Sequence, residues 1–309
     1  MDRRIVAAIG GNALGDTLPG QYQAAEAAAR VLAGLVRAGA ELALVHGSGP
    51  QVGMIRQAMA GLTRQEPDHP AVPLTVCTAM AQGYVGYDLQ KALRAELLRR
   101  GCPRPVVTLL TQVEVDPADP AFDRPDKPIG AFLTEAEART LAARGEPVME
   151  DAGRGWRRAV ASPQPKRVVE LESIRALLDR GSVVVAGGGG GIPVAAAGSA
   201  LRGVEAVVDK DHTAALLARE LDAQVLLILT GVEGVLLHYG RPNQRRLTHM
   251  TVPVAEGYLA AGEFAAGSMA PKVAAGVAFA RSAPGRRCVI TDLSHADAAL
   301  RGQAGTTIG

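Results

Sequence analysis

Residues 187–191 are five consecutive glycines, and they follow the apolar, β-branched run Ser182-Val183-Val184-Val185-Ala186. Each glycine costs stability inside a helix or sheet. Five together mark a place where the backbone passes close to something or takes φ > 0. The same grammar occurs twice more. Ile5-Val6-Ala7-Ala8-Ile9 leads into Gly10-Gly11-Asn12, and Leu42-Ala43-Leu44-Val45 leads into His46-Gly47-Ser48-Gly49-Pro50. A strand that opens into a glycine turn is one way α/β proteins set bare N–H groups around an anion such as phosphate. Three such turns predict one crevice at the carboxyl edge of a single sheet. For any one of them alone, a flexible surface loop is the alternative.

The chain is long for one core, so two lobes sharing a sheet are expected across its 309 residues. With 48% hydrophobic and 21% charged residues it has ample material for a core. A net charge of +2 and an aromatic content of 3% point away from nucleic acid and anionic membranes. Cys77, Cys102 and Cys288 are an odd number in apolar settings, which predicts reduced core thiols in a cytoplasmic protein. Met1-Asp2-Arg3-Arg4 leads straight into the first strand, so no signal peptide is expected. Residues 182–201 are uncharged and about as long as a membrane span. The glycine run and Pro193 leave only the strand at 182–186 apolar, which argues against a transmembrane helix.

Residues 21–37 read as an Ala-rich amphipathic helix stopped by Gly39. Strand, turn, helix and strand at the start of the chain make a βαβ unit, so the sheet is parallel there. Further helices are predicted at 51–60, 75–100, 171–180, 212–221, 254–261 and 267–280. Strands are predicted at 106–110, 225–229, 235–237, 288–290 and 306–308, with a hairpin pairing 193–197 and 206–208. The alternation predicts a three-layer αβα sandwich around a largely parallel sheet. Residues 111–166 break the pattern. Asp116, Asp119, Asp123 and Asp126 alternate with Pro117, Pro120, Pro125 and Pro128, and Thr134-Glu135-Ala136-Glu137 has the form of a capping box. This stretch reads as an inserted, protruding subdomain able to act as a lid, with Lys127 at its tip. A solvated excursion is the alternative.

Of 33 basic residues, only Lys91, Lys127, Lys166, Lys210 and Lys272 are lysines. Lys127, Lys210 and Lys272 sit beside Gly, Pro or Asp at element ends. A compact ammonium there suits a transferring phosphoryl group, although solvated lysines would leave the same pattern. Lys210 and Lys272 each fall near a helix N-terminus, where the dipole already favours anions. Asp209 would orient the Lys210 ammonium or bind a cation through water. Asp209 and Asp211 equally fit a plain N-cap pair. The chain has no Gly-x-x-x-x-Gly-Lys-Ser/Thr segment and no His-Glu-x-x-His pair, and its six histidines show no ligand spacing. His46 is open to a catalytic or a positional role. Gly47-Ser48-Gly49 lacks the setting of a nucleophile elbow, and the glycine run matches a dinucleotide fingerprint only loosely. Phosphoryl transfer is the chemistry left, because it needs mainly positioning and cancellation of negative charge.

Together these segments resemble the carbamate kinases of the amino acid kinase family, from about residue 4 to 307. The carriers are Ile9-Gly10-Gly11-Asn12-Ala13-Leu14, His46 to Gly53, Lys127-Pro128-Ile129-Gly130, residues 150–158, residues 188–194, Val208-Asp209-Lys210-Asp211 and residues 267–273. The resemblance implies reversible transfer: carbamoyl phosphate plus ADP gives carbamate plus ATP, with Mg²⁺. It implies one amino acid kinase domain over residues 1–309. An N-lobe (about 1–180) would take carbamoyl phosphate and carry the lid (about 111–166), and a C-lobe (about 181–309) would take the nucleotide. On that basis Gly10, Gly11, Asn12, Ser48 and Gly49 would hold carbamoyl phosphate and Lys127 would close over it. Lys210 and Lys272 would stabilise the transition state, with Asp209 organising the lysines. Thr230, Gly231, Val232, Tyr239, Met269 and Pro271 would line the adenine side, and a homodimer is implied. Two positions depart from the pattern: Gly231, where an acidic or amide residue is expected, and Ala161, where proline is common. Another small-acid kinase of the same fold, or a non-catalytic metabolite sensor, are the competing readings.

Overall fold

The computed structural model describes residues 4–10, 18–66, 68, 70–151 and 155–309. Along the chain the first half runs β1 (Arg4–Ile9), α1 (Leu18–Arg37), β2 (Glu41–His46), α2 (Gly49–Gln65), α3 (Leu74–Arg99), β3 (Val106–Thr108), β4 (Gln112–Val115), β5 (Lys127–Leu133), α4 (Glu135–Ala142), β6 (Val148–Glu150), β7 (Trp156–Val160), β8 (Pro165–Val168) and α5 (Leu171–Asp179). The second half runs β9 (Val183–Val185), β10 (Ile192–Ala197), β11 (Ala200–Gly203), α6 (Lys210–Glu220), β12 (Val225–Thr230), β13 (Leu236–Leu237), β14 (Arg245–Arg246), β15 (His249–Met250), α7 (Val252–Ala260), α8 (Met269–Ala280), β16 (Arg287–Asp292), α9 (Ala296–Leu300) and β17 (Thr306–Ile308).

The core is an eight-stranded sheet in the order β15-β17-β16-β12-β1-β2-β9-β3. From β3 across to β16 every pairing is parallel, and β17 runs antiparallel to β16. The central strands are apolar on both faces because both faces are covered. Ile5, Ala7, Leu42, Leu44, Val183 and Leu227 pack toward α1 and α3. Their neighbours Val6, Ala8, Ala43, Val45, Val184 and Ile228 pack toward α5, α6 and α8. The period-2 alternation of a strand thus feeds two separate cores, giving the expected three-layer αβα sandwich. The chain moves from β1 to β2 in one direction and from β12 to β16 in the other. The order therefore reverses between β1 and β12, the kind of junction where open α/β sheets bind ligands.

Two smaller sheets decorate this frame. β11-β10-β4-β8 is a four-stranded sheet, and β5-β7-β6 with α4 forms the protruding subdomain. The Thr134 capping box forms, with the Glu137 side chain accepting from the Thr134 N–H at 2.8 Å. The subdomain's own sheet covers residues 127–160, whereas β4 and β8, inside the expected 111–166 window, pair into the second sheet. β9, just past the expected lobe boundary, lies between β2 and β3. The expected hairpin is corrected. β10 pairs with residues 200–203 through a two-residue turn at Gly198 (φ 64°), while Ala206 bridges to Ala161. A tight turn with glycine at φ > 0 closes a hairpin at once and leaves 206–208 free for another partner.

Candidate active site

The strand ends that the glycine pattern picked out lie side by side. Ile9 is level with His46 on one side and Leu229 on the other. The Gly10 N–H donates to the Leu229 carbonyl at 3.1 Å and the Gly47 N–H to the Ile9 carbonyl at 2.9 Å. The glycine run following β9 seals this edge. Its residues at 187, 189, 190 and 191 have φ of 62°, 67°, 92° and 92°. A β-carbon on Gly188 would stand 2.3 Å from His46 Nε2, one on Gly189 2.5 Å from Ser48 Oγ, and one on Gly190 2.0 Å from the Val208 carbonyl. Only glycine fits such positions. The run is not a ring of free donors. Gly190 and Gly191 spend their N–H groups within the turn, on the carbonyls of Gly187 and Gly188. Gln82 donates to the Gly188 carbonyl at 2.8 Å and Thr213 to that of Gly190 at 2.7 Å. Its work is to press α6 and its lysine against the Ser48 turn.

Five charged residues meet beside that turn. Asp209 caps α6, accepting from the Asp211 N–H at 2.9 Å, and its other oxygen pairs with Lys127 from β5. Asp211, one residue into the helix, bridges Lys210 at 2.7 Å and Lys272 of α8 at 3.0 Å. Its carboxylate is 2% exposed, and both lysine side chains are 12% exposed. Burial opposes ionisation of Asp209, but Lys127 and Lys210 outweigh it and hold the carboxyl well below its ordinary value. Burial likewise opposes charge on Asp211 and on Lys210. Each is overcome by its partners, which lowers the aspartate and raises the lysine. Lys272 goes the other way: burial and the Lys210 charge together push it below the usual lysine range. Three cations against two anions leave one net positive charge facing the crevice, an arrangement ready for an anion.

The structure thus gathers Lys127, Lys210, Lys272 and Asp209, with Gly10, Ser48 and Gly49 on the adjoining strand ends. Gly11 and Asn12 lie outside the described residues. Ser48 Oγ is buried with no hydrogen-bond partner among the described residues, as expected of a group meant to meet a ligand. Asp209, expected to organise the lysines, forms its ion pair with Lys127 among the described residues and feels Lys210 through its charge. Asp211 takes the other two, because its place in the first turn of α6 faces α8, whereas the cap residue turns toward β5. Burial pushes the His46 imidazole down to about 4, and its ring packs on Gly188. Of the nucleotide-side residues, Thr230 ends β12, followed by Gly231 and Val232, next to the Gly10 turn. Met269 and Pro271 share the first turn of α8 with Lys272. Tyr239 lies in the loop after β13, 72% exposed.

The family model described as the amino acid kinase family matches residues 3–292. The chain is 51% identical over 308 residues to the carbamate kinase-like protein YqeA of Escherichia coli, covering 100% of this chain and 99% of that one. It is 44% identical to a carbamate kinase of Clostridium perfringens, covering 99% of each. Among solved structures, carbamate kinase from Giardia lamblia bound to AMP-PNP superposes with a TM-score of 0.89 at 38% identity, over 99% of this chain and 98% of that one.

Proposed function

The chain belongs to the amino acid kinase family, and on that footing we propose that it is a carbamate kinase, moving a phosphoryl group reversibly between carbamoyl phosphate and ADP. The observation that carries the reading is the paired cluster of Lys127, Asp209, Lys210, Asp211 and Lys272, beside a buried Ser48 hydroxyl that has no hydrogen-bond partner among the described residues. An oxygen of the ADP β-phosphate attacks the phosphorus of carbamoyl phosphate. The bond from phosphorus to the carbamoyl oxygen breaks, and carbamate leaves with the electron pair. The residues need not make covalent bonds, because positioning and charge cancellation carry this reaction. The turns at Gly10, Ser48 and Gly49, with Gly11 and Asn12, hold carbamoyl phosphate. Lys127 comes across from the subdomain. Lys210 and Lys272 offset charge on the transferring group, and Asp211 fixes the spacing between their ammonium groups.

Thr230, Gly231, Val232, Tyr239, Met269 and Pro271 take the nucleotide, in a division of labour between an N-lobe (1–180, lid 111–166) and a C-lobe (181–309). Mg²⁺ brought in with the nucleotide would offset phosphate charge; Asp209 and Asp211, already paired with lysines, would hold it only through water. A homodimer is supported by Val76, Met80 and Tyr87, which leave an apolar stripe exposed along α3. Three free cysteines, and no described helix long and apolar enough to cross a membrane, support a place in the cytoplasm.

A coupled assay of ATP formation from carbamoyl phosphate and ADP tests the reading. Turnover is expected in the parent chain, with a loss on the order of 10²–10³ in kcat for Lys210→Ala. A full-rate Lys210→Ala protein would refute the assigned role. Turnover of acetylglutamate or glutamate in place of carbamate would refute the substrate.

A further inference from the structure

A second chamber lies between α2 and the subdomain. It has a volume of about 530 Å³, within the ordinary range for small-molecule sites. None of Gly10, Ser48, Lys127, Lys210 or Lys272 lines it. It opens where Gly53 of α2 meets Gly130 of β5, so closely that a β-carbon on Gly53 would fall 2.2 Å from the Gly130 Cα. From that contact it follows α2 away from the Ser48 turn. At 1.5 Å per residue, Arg56 and Arg64 stand about 12 Å and about 24 Å along the helix from Ser48.

The lining is an apolar floor with a cationic wall. Val72, Ile129 and Leu133 supply the floor, while Arg56, Arg64 and Arg158 face Glu146 as the one carboxylate. Glu146 pairs with Arg158. Arg56 and Arg64 have no carboxylate partner among the described residues. Burial, and after it the neighbouring Arg56 charge, push the Arg158 guanidinium below its ordinary value, so the two cations stand close enough to feel each other even with Glu146 paired to Arg158. Guanidinium groups from two different elements, facing one half-enclosed space, match the planar oxygens of carboxylate and phosphate.

We propose that this chamber binds a small organic anion carrying two or more carboxylate or phosphate groups. The occupant bridges Arg56 and Arg64 of α2 to Arg158 of β7 and so holds the subdomain, with Lys127, against the helix that starts at the phosphate turn. The chamber is thereby a regulatory site, separate from the reacting groups. Its lining is the same whether or not the substrate is carbamate.

Isothermal titration of the full chain with succinate, 3-phosphoglycerate and inorganic phosphate, each in the presence of saturating ADP, reads this directly. One saturable site per chain is expected for succinate or 3-phosphoglycerate, undisplaced by carbamoyl phosphate. The stronger binder of the two tells carboxylate from phosphate recognition. Affinity is expected to fall about 10–100-fold in Arg56→Ala, for the loss of one charge-assisted pairing, while turnover without the anion is unchanged. Arg64→Ala, on the exposed face of the helix, gives the same readout should the first variant fold poorly. The proposal is overturned if none of the three saturates, if carbamoyl phosphate displaces the bound anion, or if both variants bind as the parent does.

Discussion

Asp211 is the residue on which the proposed site is balanced. Its carboxylate bridges two buried ammonium groups. Asp211→Asn leaves those cations facing each other, so a loss of roughly 3–5 kcal/mol in urea unfolding is expected, together with a fall in kcat larger than any change in KM. The sequence offered Asp209-Lys210-Asp211 as a unit but could not divide its labour. Lys272 arrives 61 residues later on α8, and which carboxylate it meets depends on how α6 and α8 pack. Lys272 also sets a pH dependence. Its proton is held less tightly than an ordinary lysine's, so a step that needs its charge fades as pH rises through that lowered value. The alkaline limb of kcat/KM should fall below the usual lysine range. In Lys272→Arg the limb should move to higher pH whatever rate remains, because a guanidinium does not deprotonate there.

At the scale of elements, local signals are legible in the sequence and non-local pairings are not. The strand-to-glycine junctions and the Thr134 capping box are each written within a few residues, and all of them form. The parallel partner of β10 and the second sheet that captures β4 and β8 depend on distant segments, so nothing near 193–197 announces them, whereas the hairpin from β10 to 200–203 is a local signal carried by Gly198. The glycine run shows both sides. Its need for positive φ was legible. Its use of two N–H groups inside its own turn was not, because that depends on how tightly Val208, Ser48 and His46 close around it. Gly190→Ala should cost roughly 2–6 kcal/mol, combining backbone strain with overlap on Val208. Gly198→Ala, at φ 64° in open space, should cost about 1–2 kcal/mol. Urea midpoints for the two variants, measured side by side, separate packing from conformation.

Over the whole molecule, the proposed lobes share one sheet and therefore one fate. Cutting after residue 180 strips β12 from β1 and β9 from both β2 and β3. The fragment 1–180 should then lack a near-ultraviolet dichroism signal and dispersed amide resonances, its inner strands having become open edges. A native-like spectrum from that fragment would mean the halves are autonomous. The scarcity of lysine in an arginine-rich chain has an analytical use. Apart from the α-amine, an amine-acylating reagent finds Lys91 and Lys166 on the outside and then the trio around the two aspartates. Among the buried pair, Lys272 should take the tag ahead of Lys210. Peptide mass maps made with and without ligand would then report directly how full the crevice is.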